Sequence, residues 1–154
     1  MRREIRRKDR AILLHEAIEI LASGEYGVLS SVDSDDQPYG VPFSYRLIDD
    51  AIYFHCFPEG HKLDNIGHNE KVSFCVVGKT EVLPDKFSIK YESSIVFGRA
   101  TEVFETEKSI ALLGFLKKYS PDFIAEGMKY IDASFDKVRV YKISIDSISG
   151  KSRK

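Results

Sequence analysis

Residues 54–66 read Phe-His-Cys-Phe-Pro-Glu-Gly-His-Lys-Leu-Asp-Asn-Ile, and this stretch decides how the elements around it are arranged. An apolar run ends, a turn with Pro and Gly follows, and residues 62–68 are predicted to form a short helix. The first N–H groups of a helix are free and carry a partial positive charge, which attracts phosphate. His61 and Lys62 add donors at the same point, so the stretch is a candidate site for a ligand with one phosphate. The alternative is a solvated loop with a capping role.

The sequence before this stretch predicts one helix followed by three strands. Residues 8–21 have an apolar stripe with helical spacing, formed by Leu14, Ala17, Ile18 and Leu21. Three β-rich runs follow at residues 26–32, 39–48 and 51–56. The turns between these runs are short, which favours antiparallel pairing. Pro42 lies within the second run and indicates a bulge or a free sheet edge.

The sequence after the stretch predicts three more strands, at residues 71–77, 92–103 and 137–145, with a bulge at Gly98 in the middle one. Residues 78–91 are predicted to be a long polar connection. The chain therefore has six predicted strands and few helices. This pattern predicts a mainly β fold with flanking helices, in which a six-stranded antiparallel sheet is closed or nearly closed, because closure removes exposed edges.

Helices and tails complete the predicted organisation. Residues 106–119 are predicted to be a helix with Thr106 as its N-cap, and Pro121 starts another short helical turn. Residues 1–7 and 147–154 are expected to be flexible tails.

Length and composition predict one soluble domain. The 154 residues are 43% hydrophobic and 31% charged, with a formal net charge of −1. This balance is typical of a globular protein and gives no overall field that would favour nucleic acid or a membrane. Cys56 and Cys75 lie in apolar runs without CxxC spacing, so neither a disulfide nor a metal site is predicted and a cytoplasmic location is expected. The sequence has no GxGxxG, P-loop, HExxH or GxSxG motif.

Six segments carry a further pattern: residues 39–45 (YGVPFSY), 52–56 (IYFHC), 60–66 (GHKLDNI), 71–77 (KVSFCVV), 91–98 (YESSIVFG) and 148–151 (ISGK). In this order they resemble the nitroimidazole-resistance (Nim) proteins, which belong to the pyridoxamine 5'-phosphate oxidase-like superfamily of FMN-binding split barrels. The resemblance covers nearly the whole chain. It implies one split-barrel domain over residues 1–154, assembled as a homodimer with FMN at the subunit interface.

The resemblance also implies roles for individual residues. In the wider superfamily an Arg-Lys pair at the start of the helix binds the flavin phosphate, and the matching pair here is His61-Lys62. Lys62 keeps the phosphate role. His61 matches a histidine that lies near the flavin in the Nim group, so it is the candidate catalytic residue and argues against pyridoxine synthesis. The other implied cofactor contacts are Val41, Pro42, Phe43, Ser44, His55, Cys56, Asn65, Ser93 and Ser94, the last two from the same subunit or its partner.

Three functions agree with these residues. The first is an FMN-dependent reductase that takes electrons from a reduced nicotinamide or other donor and passes them to a small acceptor such as a nitro compound. The second is a flavin- or haem-binding protein without turnover, in which His55 or His61 would be an axial ligand. The third is an interaction barrel without a cofactor.

Overall fold

In the computed structural model, which describes residues 3–154, seven strands form one antiparallel sheet. The strands are β1 (Gly27–Val32), β2 (Pro38–Phe43), β3 (Arg46–Ile48), β4 (Ala51–Cys56), β5 (Lys71–Leu83), β6 (Ser88–Val103) and β7 (Arg139–Arg153). Their order across the sheet is β2-β1-β5-β6-β7-β4-β3. The helices are α1 (Leu14–Ser23), α2 (His61–His68), α3 (Glu105–Tyr119) and α4 (Ile124–Ser134). A mainly β, antiparallel fold with flanking helices is therefore confirmed.

The predicted number of six strands is wrong, because the predicted strand 39–48 divides around Tyr45 into β2 and β3. The Tyr45 side chain is fully buried, and its hydroxyl donates to the carbonyl of Leu21 near the end of α1. The Lys118 ammonium donates to the Tyr45 carbonyl at 3.0 Å, and the Tyr119 hydroxyl accepts the Tyr45 N–H at 3.0 Å. These partners lie on α1 and α3, and together they hold the chain out of a straight strand.

The two edges of the sheet are consecutive along the chain. β2 and β3 are the outermost strands on opposite sides, although only two residues separate them. The sheet must therefore curl until its edges approach each other at Tyr45. No hydrogen-bonded ladder joins β2 to β3 within residues 3–154, so the predicted closure of the barrel is not observed. Pro42 lies in β2, which confirms the predicted free edge.

Two segments predicted to lack regular structure belong to strands. β5 and β6 continue as a hairpin through most of residues 78–91, with pairs from Thr80–Tyr91 to Leu83–Ser88. β7 continues along β6 through residues 147–153, so the flexible tail expected at 147–154 is a paired strand as far as Arg153. Residues 1 and 2 of the other expected tail lie outside the described residues.

The predicted bulge at Gly98 is confirmed. The register of β6 against β7 shifts between Phe97 and Gly98. A Cβ atom at position 98 would collide with the backbone carbonyl oxygen of Ser144. Glycine is therefore needed where β6 bends and β7 approaches it most closely.

The helices differ from the prediction in three places. The helix predicted at residues 8–21 begins only at Leu14, because residues 8–10 form a separate 3-10 turn and Ala11 pairs with Lys151. α3 begins at Glu105, so Thr106 lies within the first turn and is not the N-cap. α4 is a regular helix of 11 residues where only a short turn was predicted. No helix of residues 3–154 is long and apolar enough to cross a membrane.

β4 explains how the core divides into two clusters. Its residues Ile52 and Phe54 belong to the larger core cluster and are fully buried. Its residues Ala51 and Tyr53 face the other way, where α3 covers them. Both faces of β4 are therefore buried, except at His55 near the end of the strand, where the side chain keeps an exposed edge.

Candidate functional site

The first turn of α2 carries the side chains of His61 and Lys62 at a helix end without a side-chain cap. Gly60 is the N-cap residue, with φ +156°, and it forms no side-chain capping bond. This backbone conformation is essentially restricted to glycine. His61 is exposed and Lys62 is half-buried. The first N–H groups of a helix have no partner within it, and His61 and Lys62 are the two residues that follow this N-cap. Asp64 is the acidic residue of the same turn.

An aromatic stack fixes the position of His61. The rings of Tyr39 in β2 and His61 lie 4.1 Å apart between centroids and 25° from parallel. One face of the imidazole is therefore covered. The sequence analysis did not assign a role to Tyr39, because the contact joins residues 22 positions apart and no local pattern reveals it.

The end of β4 supplies His55 and Cys56 beside the same helix. The His55 ring packs against Phe115 of α3, with centroids 4.9 Å apart. Burial of this side of the ring, followed by the nearby charge of Lys62, lowers the pKa of His55. Cys56 is buried, and burial raises the pKa of its thiol, so it is not an activated nucleophile.

Arg139 holds the loop between β4 and α2. Its guanidinium donates to the carboxylate of Glu102, with 3.0 Å from Nε to Oε1. The hydrogen bonds to Glu102 raise the pKa of Arg139. The same guanidinium donates to the Pro58 carbonyl at 3.4 Å. The loop that presents His61 and Lys62 is thus tied to the first residue of β7.

The predicted contacts at residues 41–44 lie alternately on the two faces of the chain at the end of β2. Val41 and Phe43 point inward and pack against the core, and the Phe43 ring lies 4.5 Å from that of Phe54. Pro42 and Ser44 point outward and are exposed. The outward pair is therefore available to a ligand, whereas the inward pair supports the strand.

Asn65 has a partner within the fold. Its side chain is buried, and its amide nitrogen donates to the Ser31 hydroxyl in β1 at 3.0 Å. This bond fixes α2 against β1. The sequence could not reveal this because the two residues lie 34 positions apart.

Ser93 and Ser94 lie away from α2 in this chain. The strand register places Ser31 level with Gly98 of β6, and Ser94 lies four residues further along, roughly 13 Å at the rise of an extended strand. The Ser94 side chain is buried, and its hydroxyl has no hydrogen-bond partner among residues 3–154. Ser93 faces the other side of the sheet and lines an open cleft with Cys75. The chain therefore brings together β2, the end of β4 and α2, but not these two serines.

The sequence itself defines the family. The profile of the family described as pyridoxamine 5'-phosphate oxidase matches residues 14–152. This chain belongs to that family, which confirms the superfamily recognised from the sequence segments. No curated protein matches the chain in sequence.

Solved structures share the fold at low sequence identity. A candidate 5-nitroimidazole antibiotic resistance protein of Bacteroides thetaiotaomicron is 23% identical with a TM-score of 0.79, over 92% of this chain and 85% of that one. An FAD-binding protein of Mesorhizobium loti is 22% identical with a TM-score of 0.67, over 94% and 98%. A haem storage protein of Vibrio cholerae is 11% identical with a TM-score of 0.67, over 88% and 92%. Proteins with this fold thus include flavin and haem binders.

Proposed function

We propose that this protein is an FMN-dependent reductase that passes electrons from a reduced nicotinamide or other donor to a small acceptor such as a nitro compound. The observation that carries the proposal is the uncapped N-terminus of α2, where His61 and Lys62 lie together beside the end of β4. Family membership and the fold shared with a candidate nitroimidazole resistance protein support the same assignment.

The donors at α2 suit a phosphate monoester. Lys62 provides one positive charge, and the first N–H groups of the helix provide uncharged donors along the helix dipole. The Gly60 N-cap leaves these donors without competition from a capping side chain. Lys62 is the lysine of this turn, so phosphate affinity is expected to depend most on its ammonium.

His61 is the proposed proton donor. One face of its ring is held by Tyr39, while the rest of the side chain remains exposed to a substrate. An imidazole held in a fixed orientation can deliver a proton to an acceptor that gains electrons. When bound, the flavin would supply the electron transfer, and the protein would contribute binding and orientation.

A second copy of the chain is the proposed partner. The outward face of β5 and β6 carries exposed apolar side chains, namely Val77, Ile95 and Phe97. Because Ser93 lies on this face and away from α2, its predicted flavin contact would be made with the partner's cofactor. This arrangement agrees with the homodimer implied by the resemblance.

The purified protein tests this function by its visible spectrum. We expect a flavin spectrum that bleaches when NADH or NADPH is added without oxygen and returns when 2-methyl-5-nitroimidazole is supplied. A Soret band would instead support the haem-binding alternative. A colourless protein that takes up neither cofactor would contradict both.

The role of His61 is tested by His61→Asn with His68→Asn as the matched control, since His68 is exposed at the other end of the same helix. We expect His61→Asn to retain FMN but to lose roughly 100-fold or more in turnover, the usual contribution of a proton donor. His68→Asn should keep the wild-type rate. Equal rates for the two variants would remove His61 from the reaction.

A further inference from the structure

A cavity of about 150 Å³ lies between α3, α4 and the end of β4, and the proposed function does not use it. α4 packs against α3 at Gly127, where a Cβ atom would collide with the Leu116 side chain. Ile131 and Ser134 continue the same face of α4, one and two turns further on, and both line the cavity. The remaining apolar wall consists of Leu112, Phe115, Leu116 and Val138.

His55 is the polar group of this wall that remains available. The Ser134 hydroxyl already donates to the Tyr130 carbonyl at 2.9 Å, and the Tyr130 side chain is mostly exposed. The His55 ring borders the cavity and packs against Phe115. Burial, and then the charge of Lys62, lowers the pKa of His55, which favours the neutral form of the ring. A neutral imidazole offers one hydrogen-bond donor and one acceptor.

The volume of the cavity and the chemistry of its wall limit which ligands it can bind. An apolar cavity of roughly 150 Å³ accommodates one aromatic ring of the size of benzene. The wall contains no charged side chain, so a charged ligand would lose its hydration without compensation. The exposed edges of His55 and Tyr130 provide a path from solvent.

We propose that this cavity is a binding site for a neutral single-ring compound whose one polar atom bonds to the His55 imidazole. The site goes beyond the proposed reductase, because its wall is built mainly by α3 and α4 and does not include the first turn of α2. His55 is the one residue that it shares with the implied flavin contacts. A cavity formed only by imperfect packing would bind such rings without regard to their polar atom, or would not bind them at all.

The test is a titration of the full chain, as purified, with phenol and with toluene, followed by methyl and amide NMR. We expect saturable shifts for both compounds, confined to residues of α3 and α4 that border the cavity, with tighter binding of phenol. Shifts that do not saturate, or that spread over the surface, would overturn the proposal.

Three variants assign the effect to this site. Ser134→Phe fills the cavity and should abolish both titrations, whereas Ala133→Phe, on the exposed side of the same helix, should leave both unchanged. His55→Phe keeps an aromatic ring but removes the polar anchor, so phenol binding should weaken about three- to ten-fold and toluene binding should stay within two-fold. If Ser134→Phe does not fold, the same titrations of Ser134→Leu and His55→Phe still test the proposal. Unchanged phenol affinity in His55→Phe contradicts the proposed anchor.

Discussion

Two short connections of this chain differ in how far the rest of the fold provides hydrogen-bond partners for their polar groups. The connection at Tyr45, between β2 and β3, is bonded to Leu21, Lys118 and Tyr119 and has its side chain fully buried. In the connection between β4 and α2, the Arg139 guanidinium bonds to the Pro58 carbonyl near the start, and the connection ends in an exposed helix turn without a side-chain cap.

This difference distinguishes groups that stabilise the fold from groups that can bind a ligand. Donors and charges that the chain satisfies internally contribute to folding, whereas donors that it orients but leaves exposed are available to a ligand. Substitutions in the first connection should therefore change only the stability of the protein, and substitutions in the second should change only cofactor binding. The following predictions test that division, beginning with the largest effect.

Tyr45→Ala is expected to lower the free energy of unfolding by about 3–5 kcal/mol, because a large buried ring is lost. Tyr45→Phe keeps the ring but leaves the Leu21 carbonyl without its donor, at a cost of about 1–3 kcal/mol. Urea denaturation followed by circular dichroism measures both. A loss below about 1 kcal/mol for Tyr45→Ala would show that the connection does not hold the sheet edges together.

Lys62→Ala is expected to weaken FMN binding by about 1.5–3 kcal/mol, the contribution of one charge-assisted hydrogen bond, while the free energy of unfolding of the apoprotein stays the same. This corresponds to a roughly 10- to 100-fold rise in the dissociation constant. Lys117→Ala removes an equally positive, exposed side chain from α3 and serves as the control. Equal losses in the two variants would mean that general surface charge, and not α2, attracts the phosphate.

Lys118 should give the stability contributed by the Tyr45 connection a pH dependence. Burial, and then the charge of Arg46, lowers the pKa of Lys118 from 10.5 to about 8. Between these values the unfolded chain binds more protons than the folded chain, so the free energy of unfolding should rise with pH. Lys118→Met should reduce this rise between pH 8 and pH 9.5. Parallel pH profiles for the two proteins would contradict the assignment.

Local patterns were sufficient for most of the fold. Apolar alternation predicted the strands near the barrel core, and the glycine at position 98 predicted the bulge. The hairpin at residues 78–91 was missed because its strands extend beyond the core, and the exposed residues Lys79, Thr80 and Glu81 lack an apolar alternation. α4 had a usable signal, since Ile124, Met128 and Ile131 follow helical spacing.

Contacts between distant parts of the chain could not be predicted. The break at Tyr45 depends on Lys118 and Tyr119, more than 70 positions away. In the candidate site, residues 60–66 predicted the start of the helix and its donors. The Tyr39–His61 stack and the hydrogen bond from Asn65 to Ser31 of β1 could be seen only in the structure. Sequence patterns thus indicate which side chains are present, and tertiary contacts decide which remain free.

Comparison of FMN with riboflavin tests the central claim most directly, because the two differ only in the phosphate. The apoprotein would be titrated with each flavin and followed by quenching of flavin fluorescence. If the first turn of α2 binds the phosphate, FMN should bind at least about ten-fold more tightly than riboflavin, and Lys62→Ala should remove most of that preference. Equal affinity for the two flavins in the wild-type protein would contradict the account.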